Sequence, residues 1–241
     1  MNIKAWSFSA LSTFETCPLR SKYQKLDKVP ELSRPGPASG EHANDRGTRI
    51  HDNLEQYVRG KAELTKELIL FKEDIDAIKP FFAVDQVELE GMWCFNNAWV
   101  PVHEQDYSNI WLRVKLDVFV LLSDTRAVVI DLKTGKRYGN EVKHAQQTQL
   151  YALASFLRFP DLQEITTELW YPDVDELTSM EFTRTQGLRF FKSFNDRGTL
   201  MTSTTDFKPK PSQSACMFCP YAAKESSNRW VNKSGHCPYG V

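Results

Sequence analysis

The chain has 241 residues, 41% of them hydrophobic, and a formal net charge of −1 at pH 7. That length suits one large domain or a domain with a small appendage, and the near-neutral balance carries no global nucleic-acid signature. No apolar stretch is long enough to span a bilayer, and Met1–Ser7 lacks the apolar centre of a secretory signal, so a soluble, cytoplasmic protein is expected. Charge is nevertheless uneven. Residues 181–241 hold nine Lys/Arg against four Asp/Glu, whereas the preceding 180 residues hold 21 against 27. Five cysteines in a chain this long do not make a disulfide framework, and the odd count argues against full pairing. The thiols are expected to be reduced or bound to metal.

Taken in order, residues 9–26 read as helix, with Ser12-Thr13-Phe14-Glu15 as a capping box and Pro18 as an interruption. Pro30 to Gly40, with three prolines and two glycines, reads as loop. Gly47 to Val58 is helical, because Ile50, Leu54, Tyr57 and Val58 share one face. Leu64 to Phe82 is helical with a break at Pro80. Strand character follows in Val87–Glu90, in a hairpin of 92–95 and 98–102 around Asn96-Asn97, and in the runs 110–122 and 127–132. Val142 to Phe159 is a helix closed by Pro160. Ile165–Tyr171 and Leu177–Phe182 are strands, Thr183–Arg197 is helix, and the chain is irregular from Phe207 onward. The order predicts an α/β fold with a central mixed sheet flanked by helices.

The run Ala127-Val128-Val129-Ile130-Asp131-Leu132-Lys133-Thr134-Gly135 ends in an acid, one spacer and a lysine. Strand periodicity points Asp131 and Lys133 the same way. Asp117 closes the preceding run, and a turn at Ser123-Asp124-Thr125 can bring the two acids together. Carboxylates are natural Mg²⁺ ligands, and a bound divalent ion both neutralises a phosphodiester and activates water. Asp117, Asp131 and the Leu132 carbonyl fit that ligand role. Lys133 suits polarisation of a water or of charge growing on phosphorus. His51, at the edge of the apolar face of its helix, makes the set compatible with Mn²⁺. Gln147 and Tyr151 lie four apart on one helical face.

Gly47-Thr48-Arg49-Ile50-His51, Lys115-Leu116-Asp117, Ile130-Asp131-Leu132-Lys133-Thr134-Gly135 and Gln147-Thr148-Gln149-Leu150-Tyr151, in this order, resemble the RecB-like nucleases. These belong to the PD-(D/E)XK superfamily, which includes CRISPR-associated and phage exonucleases. The resemblance spans residues 7 to about 220. It implies a restriction-endonuclease-like core forming a single nuclease domain over 1–241, with His51, Asp117 and Asp131 as ligands of Mg²⁺ or Mn²⁺. It also implies Lys133 as the catalytic lysine, Gln147 and Tyr151 as active-site residues, and Glu88 as a secondary acid. Val114 departs from the family, which often has Gly three residues before this acid.

Cys17-Pro18, Cys216-Met217-Phe218-Cys219-Pro220 and Cys237-Pro238 offer four thiolates, enough for a [4Fe–4S] cluster or for Zn²⁺. Many RecB-like nucleases hold such a cluster with one N-terminal and three C-terminal cysteines. By that resemblance, residues 1–30 and 207–241 join in a cysteine metal site. The 17 residues between Cys219 and Cys237 are more than the family usually has. Cys94 reads as core.

The expected activity is hydrolysis of linear or single-stranded DNA, as an exonuclease in DNA-end processing or recombination, with a phage origin compatible with the compact form. A recombination or single-strand-binding protein is an expected partner, and the oligomeric state is open. The alternative is an inactive iron–sulfur or zinc nucleic-acid-binding protein on the same scaffold. Arg46, Arg49, Lys136, Arg137 and Lys143 are candidate phosphate contacts. Trp6, Phe8 and Tyr221 are candidate stacking residues.

Overall fold

The computed structural model describes residues 1–37, 40–135 and 139–240. In chain order its elements begin with β1 (Trp6–Ser7), α1 (Phe8–Thr16), α2 (Pro18–Lys25), α3 (Ala43–Val58), α4 (Lys72–Ala83), β2 (Val87–Leu89), β3 (Met92–Phe95) and β4 (Pro101–Val102). They continue with β5 (Leu112–Lys115), β6 (Val118–Ser123), β7 (Arg126–Leu132), α5 (Glu141–Arg158), β8 (Glu164–Tyr171), β9 (Glu176–Thr183), α6 (Arg184–Leu188), α7 (Phe191–Ser203) and α8 (Gln213–Met217). The chain forms two compact units, one of residues 41–194 and one of residues 1–40 with 195–241. No helix among the described residues is long and apolar enough to cross a membrane.

The central unit is built on a five-stranded mixed sheet in the order β2-β6-β7-β8-β9. β7 pairs antiparallel with β6 and parallel with β8, the crossover between the parallel pair being α5. β7 is buried along both of its faces over most of its length, which is why 127–132 reads as an almost unbroken apolar run. Ile130 and Leu132 pack with Val118, Val120 and Trp170 against Ile50, Leu54, Tyr57 and Val58 of α3 and Ile75 and Ile78 of α4. Burying each such aliphatic side chain contributes about 1.5–3 kcal/mol. That packing anchors α3 beside the end of β7. A second, antiparallel arrangement in this unit joins β5, β3 and β4.

The run 110–122, read as one strand, is two. It changes sheet between Lys115 and Val118, leaving Leu116 and Asp117 at the junction. Their backbones are held there by Leu116 N–H to Gly91 O at 2.9 Å and Glu90 N–H to Asp117 O at 2.8 Å. Asp117 therefore sits one step beyond the Val118–Ile130 pair, opposite Asp131.

Helix boundaries differ from expectation where local chemistry outweighs composition. The first helix is broken at Cys17-Pro18 into α1 and α2, and its cap is Ser7, which accepts Ala10 N–H, rather than Ser12. Helix α3 starts four residues before Gly47. Residues 64–71 stay outside α4, while Pro80 lies inside it. Proline there removes one donor near the end of the helix, which closes three residues later. The expected 183–197 helix is split into α6, opened by a Thr183–Gln186 capping box, and α7. A short helix, α8, occurs in the tail expected to be irregular.

In the terminal unit the two ends of the chain are tied by Arg197 to both Glu15 oxygens at 2.6 and 2.8 Å. Asn2 Nδ2 donates to Thr202 O at 2.6 Å, and Asn232 Nδ2 to Ser33 O at 2.7 Å. Their small core contains Leu19, Tyr23, Cys216, Cys219, Tyr221 and Ala222.

Candidate active site

A cleft of about 560 Å³ opens in the central unit, lined by His51, Asp117, Asp131, Leu132, Lys133, Gln147 and Tyr151 among others. Those residues come from α3, the β5–β6 junction, the end of β7 and α5. His51 Nδ1 lies 3.2 Å from Asp117 Oδ1 and 3.6 Å from Glu90 Oε1. One donor atom from each of these three residues lies within 4.8 Å of the other two. The other Asp117 oxygen accepts Leu132 N–H at 2.7 Å, which fixes the carboxylate against the strand carrying Asp131.

Asp131 is buried, and its Oδ1 accepts the Tyr151 hydroxyl at 2.6 Å and Gln147 Nε2 at 3.3 Å. Its Oδ2 is paired with the Lys133 ammonium but accepts no directed hydrogen bond. Lys133 Nζ also donates to Gln147 Oε1 at 2.9 Å. Gln147 is thus clamped by Lys133, Asp131 and Tyr151, the last at 2.5 Å. Helical spacing of four makes this possible, since Gln147 and Tyr151 stand one above the other on α5.

The electrostatics are those of acids gathered around one imidazole. Burial alone would push the His51 pKa down, but hydrogen bonds to Asp117 and Glu90 outweigh it and raise the value to about 10. Burial, followed by the charge of Asp131, raises the Asp117 pKa. His51, then Lys115, holds Glu90 below the usual carboxylate range despite its burial. The Tyr151 phenol is pushed well above its ordinary value by burial and the neighbouring acids, so it remains a proton donor.

The secondary acid is placed differently from expectation. Glu88 accepts the Trp93 indole N–H at 2.6 Å. The acid in the cleft is Glu90, which pairs with Lys115 at 2.6 Å. Residues 88 and 90 would share a face in a continuing strand, but β2 ends at Leu89 and Glu90 takes a φ of +51°. The adjacent Gly91 is the sequence signal of a strand end.

Arg46 and Arg49, expected at phosphates, are engaged by carboxylates: Arg46 by Asp173, and Arg49 by Glu41 and Glu67. Lys136 and Arg137 lie outside the described residues, and Lys143 is an exposed residue of α5. Trp6, Phe8 and Tyr221 are buried at 1%, 8% and 1% exposure, which removes them as stacking surfaces.

In the terminal unit Cys17, Cys216, Cys219 and Cys237 all line one small cavity, together with Arg20, Tyr23 and Tyr221. The Arg20 Nε–H is buried there without a partner, and Lys210 N–H donates to Cys17 Sγ at 3.4 Å. Burial raises the Cys219 thiol pKa. Arg20 places a cation beside these sulfurs, in a lining otherwise made largely of apolar side chains such as Pro209, Pro211 and Ala215. Cys94 is buried in β3, apart from this set.

No curated protein sequence matches the chain. Among solved structures it is similar to the crystal structure of SSO0001, with 15% identity, a TM-score of 0.45, and coverage of 91% of this chain and 84% of that one. It is also similar to a phage related exonuclease from Haemophilus somnus 129PT, at 10% identity and TM-score 0.28, covering 72% and 94% of the two chains. A third is an alkaline exonuclease from Laribacter hongkongensis, at 9% identity and TM-score 0.26, covering 81% and 89%. These likenesses are too loose to bear on function. The family model of the PD-(D/E)XK nuclease superfamily, by contrast, matches residues 5–223, nearly the whole chain and every residue of the cleft. The chain belongs to the PD-(D/E)XK nuclease superfamily.

Proposed function

We propose that the cleft is the active site of a divalent-metal-dependent DNA nuclease that acts at DNA ends. The convergence of His51, Glu90 and Asp117 beside the Asp131–Lys133 pair is the observation that carries this reading. His51, Asp117 and Asp131 would hold the ion, with Glu90 and the Leu132 carbonyl as further oxygen donors. Carboxylate-rich donors with one imidazole suit Mg²⁺ or Mn²⁺. A bound divalent ion neutralises the scissile phosphate and acidifies the attacking water. Lys133, held by Asp131 and Gln147, orients that water and offsets charge growing on phosphorus. Gln147 and Tyr151 fix the carboxylate and the ammonium in one arrangement, so little reorganisation accompanies the chemistry.

In the terminal unit the four cysteines are proposed to hold a [4Fe–4S] cluster. Tetrahedral Zn²⁺ is the alternative occupant of the four thiolates. Hydrolysis needs no electron transfer, so the role is structural. Both units are read as parts of one nuclease domain, because the family model spans them.

The test is end-labelled linear DNA with Mg²⁺ or Mn²⁺, with and without EDTA. Degradation abolished by EDTA and by Asp131→Ala is expected. Unchanged cutting by that variant would point to a contaminant or another site and end the assignment of this cleft, and a wild-type protein that binds DNA without cutting it would leave the reading of an inactive nucleic-acid-binding scaffold. Labels on the 5′ and 3′ ends separately report whether cutting starts at an end. Cys219→Ala is expected to lose visible iron–sulfur absorbance and much of its soluble yield, and a wild-type melting temperature would oppose the structural role.

A further inference from the structure

The formal charge of the chain is divided between its units. Residues 1–40 and 195–241 hold 12 Lys/Arg and 6 Asp/Glu, whereas residues 41–194 hold 18 and 25. The cationic unit also displays large apolar side chains on its surface. Met217, Phe218 and Trp230 are 39%, 49% and 51% exposed. Phe218 lies between the two cysteines of the Cys-x-x-Cys, and its ring centroid is 5.7 Å from that of Trp230. The Arg229 guanidinium stands 4.4 Å from the Trp230 ring centroid, over its face.

This arrangement is fixed before any partner arrives. The Asn228 side-chain oxygen accepts Trp230 N–H at 2.9 Å and Val231 N–H at 3.1 Å, closing an Asx turn that presents the indole. The Asn228 backbone N–H closes the same loop on Val231 O at 3.2 Å. Asn228 Nδ2 donates to Met217 O at 3.2 Å and so ties the tryptophan loop to the phenylalanine loop. Aromatic rings left half in water at a defined angle, under a guanidinium, leave apolar surface uncovered and expect a planar, anionic occupant. An unpaired nucleic-acid strand has both properties: base faces that stack on aromatic rings, and phosphates that pair with arginine. A purely apolar protein partner would have no use for the Arg229 charge, nor for a unit with twice as many cations as anions.

We infer that Phe218 and Trp230, with Arg229, form a base-stacking platform for single-stranded nucleic acid. The inference rests on the nuclease reading and deepens it, naming an unpaired strand as the form of substrate that the terminal unit grips. Duplex DNA keeps its base faces inside the stack and offers the rings nothing except at its ends.

The experiment compares the full-length, cluster-loaded protein with Trp230→Leu, Phe218→Leu and Arg229→Gln. Binding of a labelled single-stranded oligonucleotide and of a blunt hairpin is measured in an Asp131→Asn background, where cutting is blocked. Each leucine variant keeps apolar bulk and loses the π-face. Single-strand affinity is expected to fall about 5- to 150-fold per ring, with little change for the hairpin. The salt dependence should stay the same for the leucine variants and become shallower by about 0.7 for Arg229→Gln.

Hydrolysis of a small substrate, the p-nitrophenyl ester of thymidine 5′-phosphate, is followed in the otherwise wild-type protein. If the wild-type protein does not cleave this ester or DNA, the nuclease reading fails while the binding result still judges the platform. Iron content is measured alongside, and Trp230→Leu, outside the Cys-x-x-Cys, decides the matter if Phe218→Leu loses iron. Unchanged single-strand affinity in Trp230→Leu overturns the inference. So does an equal loss for strand and hairpin, or a change from dimer to monomer in sedimentation, which would make the patch an interface between copies of the chain.

Discussion

Tyr151→Phe removes one oxygen from the middle of the cleft. The phenol donates to Asp131 at 2.6 Å and accepts from Gln147 at 2.5 Å, and both Tyr151 and Asp131 are 3% exposed. A hydrogen bond to a charged acceptor in such a place contributes about 1.5–3 kcal/mol. Gln147 keeps its contacts to Asp131 and Lys133, and the ring itself still fills its place, so no cavity term enters. The expected loss of stability is therefore about 2 kcal/mol, or roughly 4–8 °C in melting temperature for a chain of this size. Asp131 would lose its shorter Oδ1 hydrogen bond and its fixed rotamer. Removing a group that orients a metal ligand, the role proposed for Asp131, typically costs about 10- to 100-fold in affinity or activity. Calorimetric titration with Mn²⁺, DNA cleavage at saturating Mn²⁺ and a thermal melt separate the two effects. A variant that melts lower but binds Mn²⁺ and cuts like the wild type would refute the reasoning, reducing the Tyr151–Asp131 bond to a folding contact.

Gly187→Ala should destabilise the central unit by about 1–3 kcal/mol, because an added Cβ would lie 2.4 and 2.5 Å from two Phe156 ring carbons on α5. Alanine's better helix propensity offsets at most about 1 kcal/mol of that, so a denaturation midpoint equal to wild type would show that the helices separate freely. His51 binds its proton more tightly when folded, at a pKa of about 10 against about 6.5 unfolded. Its contribution to the metal-free protein is thus complete below pH 6.5 and disappears as pH rises toward 10. Metal-free protein should lose stability across that window while Mn²⁺ affinity rises, and His51→Asn should flatten both profiles; a stability curve independent of His51 would sink this account. For the proposed cluster, Arg20→Gln removes the guanidinium beside the cysteine cavity, so reduction, which adds negative charge, should become harder. An anaerobic redox titration should give a more negative potential, and an unchanged value would place the guanidinium outside the cluster's field.

Much of the cleft was legible because its parts obey short-range periodicities. Asp131 and Lys133 share a face by the strand period, Gln147 and Tyr151 by the helix period, and Asp117 lies across a turn short enough to force the pairing of β6 with β7. His51 followed from the apolar stripe of α3, which leaves it at the margin of the buried face. What escaped depended on backbone or burial that periodicity does not encode. Glu88 and Glu90 are indistinguishable as alternating acids until the chain turns to positive φ at Glu90. The division of 110–122 between two arrangements of strands leaves no mark in a run that is apolar on both sides of Asp117. Trp6 and Tyr221 resemble Phe218 and Trp230 as aromatic residues near cysteines or in a basic region, yet the first pair is core and the second pair is exposed. Composition cannot make that distinction, because it depends on which turns the polypeptide takes around them. The arginines of α3 misled for the same reason: their carboxylate partners, Glu41, Glu67 and Asp173, come from 8 to 127 positions away.

The terminal unit is discontinuous, its first forty residues and its last forty-seven separated by the whole central unit. On a ribosome adding about 5–20 residues per second, Cys17 emerges some 10–40 s before Cys216. During that interval its thiol is exposed to oxidants and to stray metal ions. A chain truncated before Cys216 lacks three of the four sulfurs. The proposed cluster would then be acquired only after both segments of the terminal unit have been made.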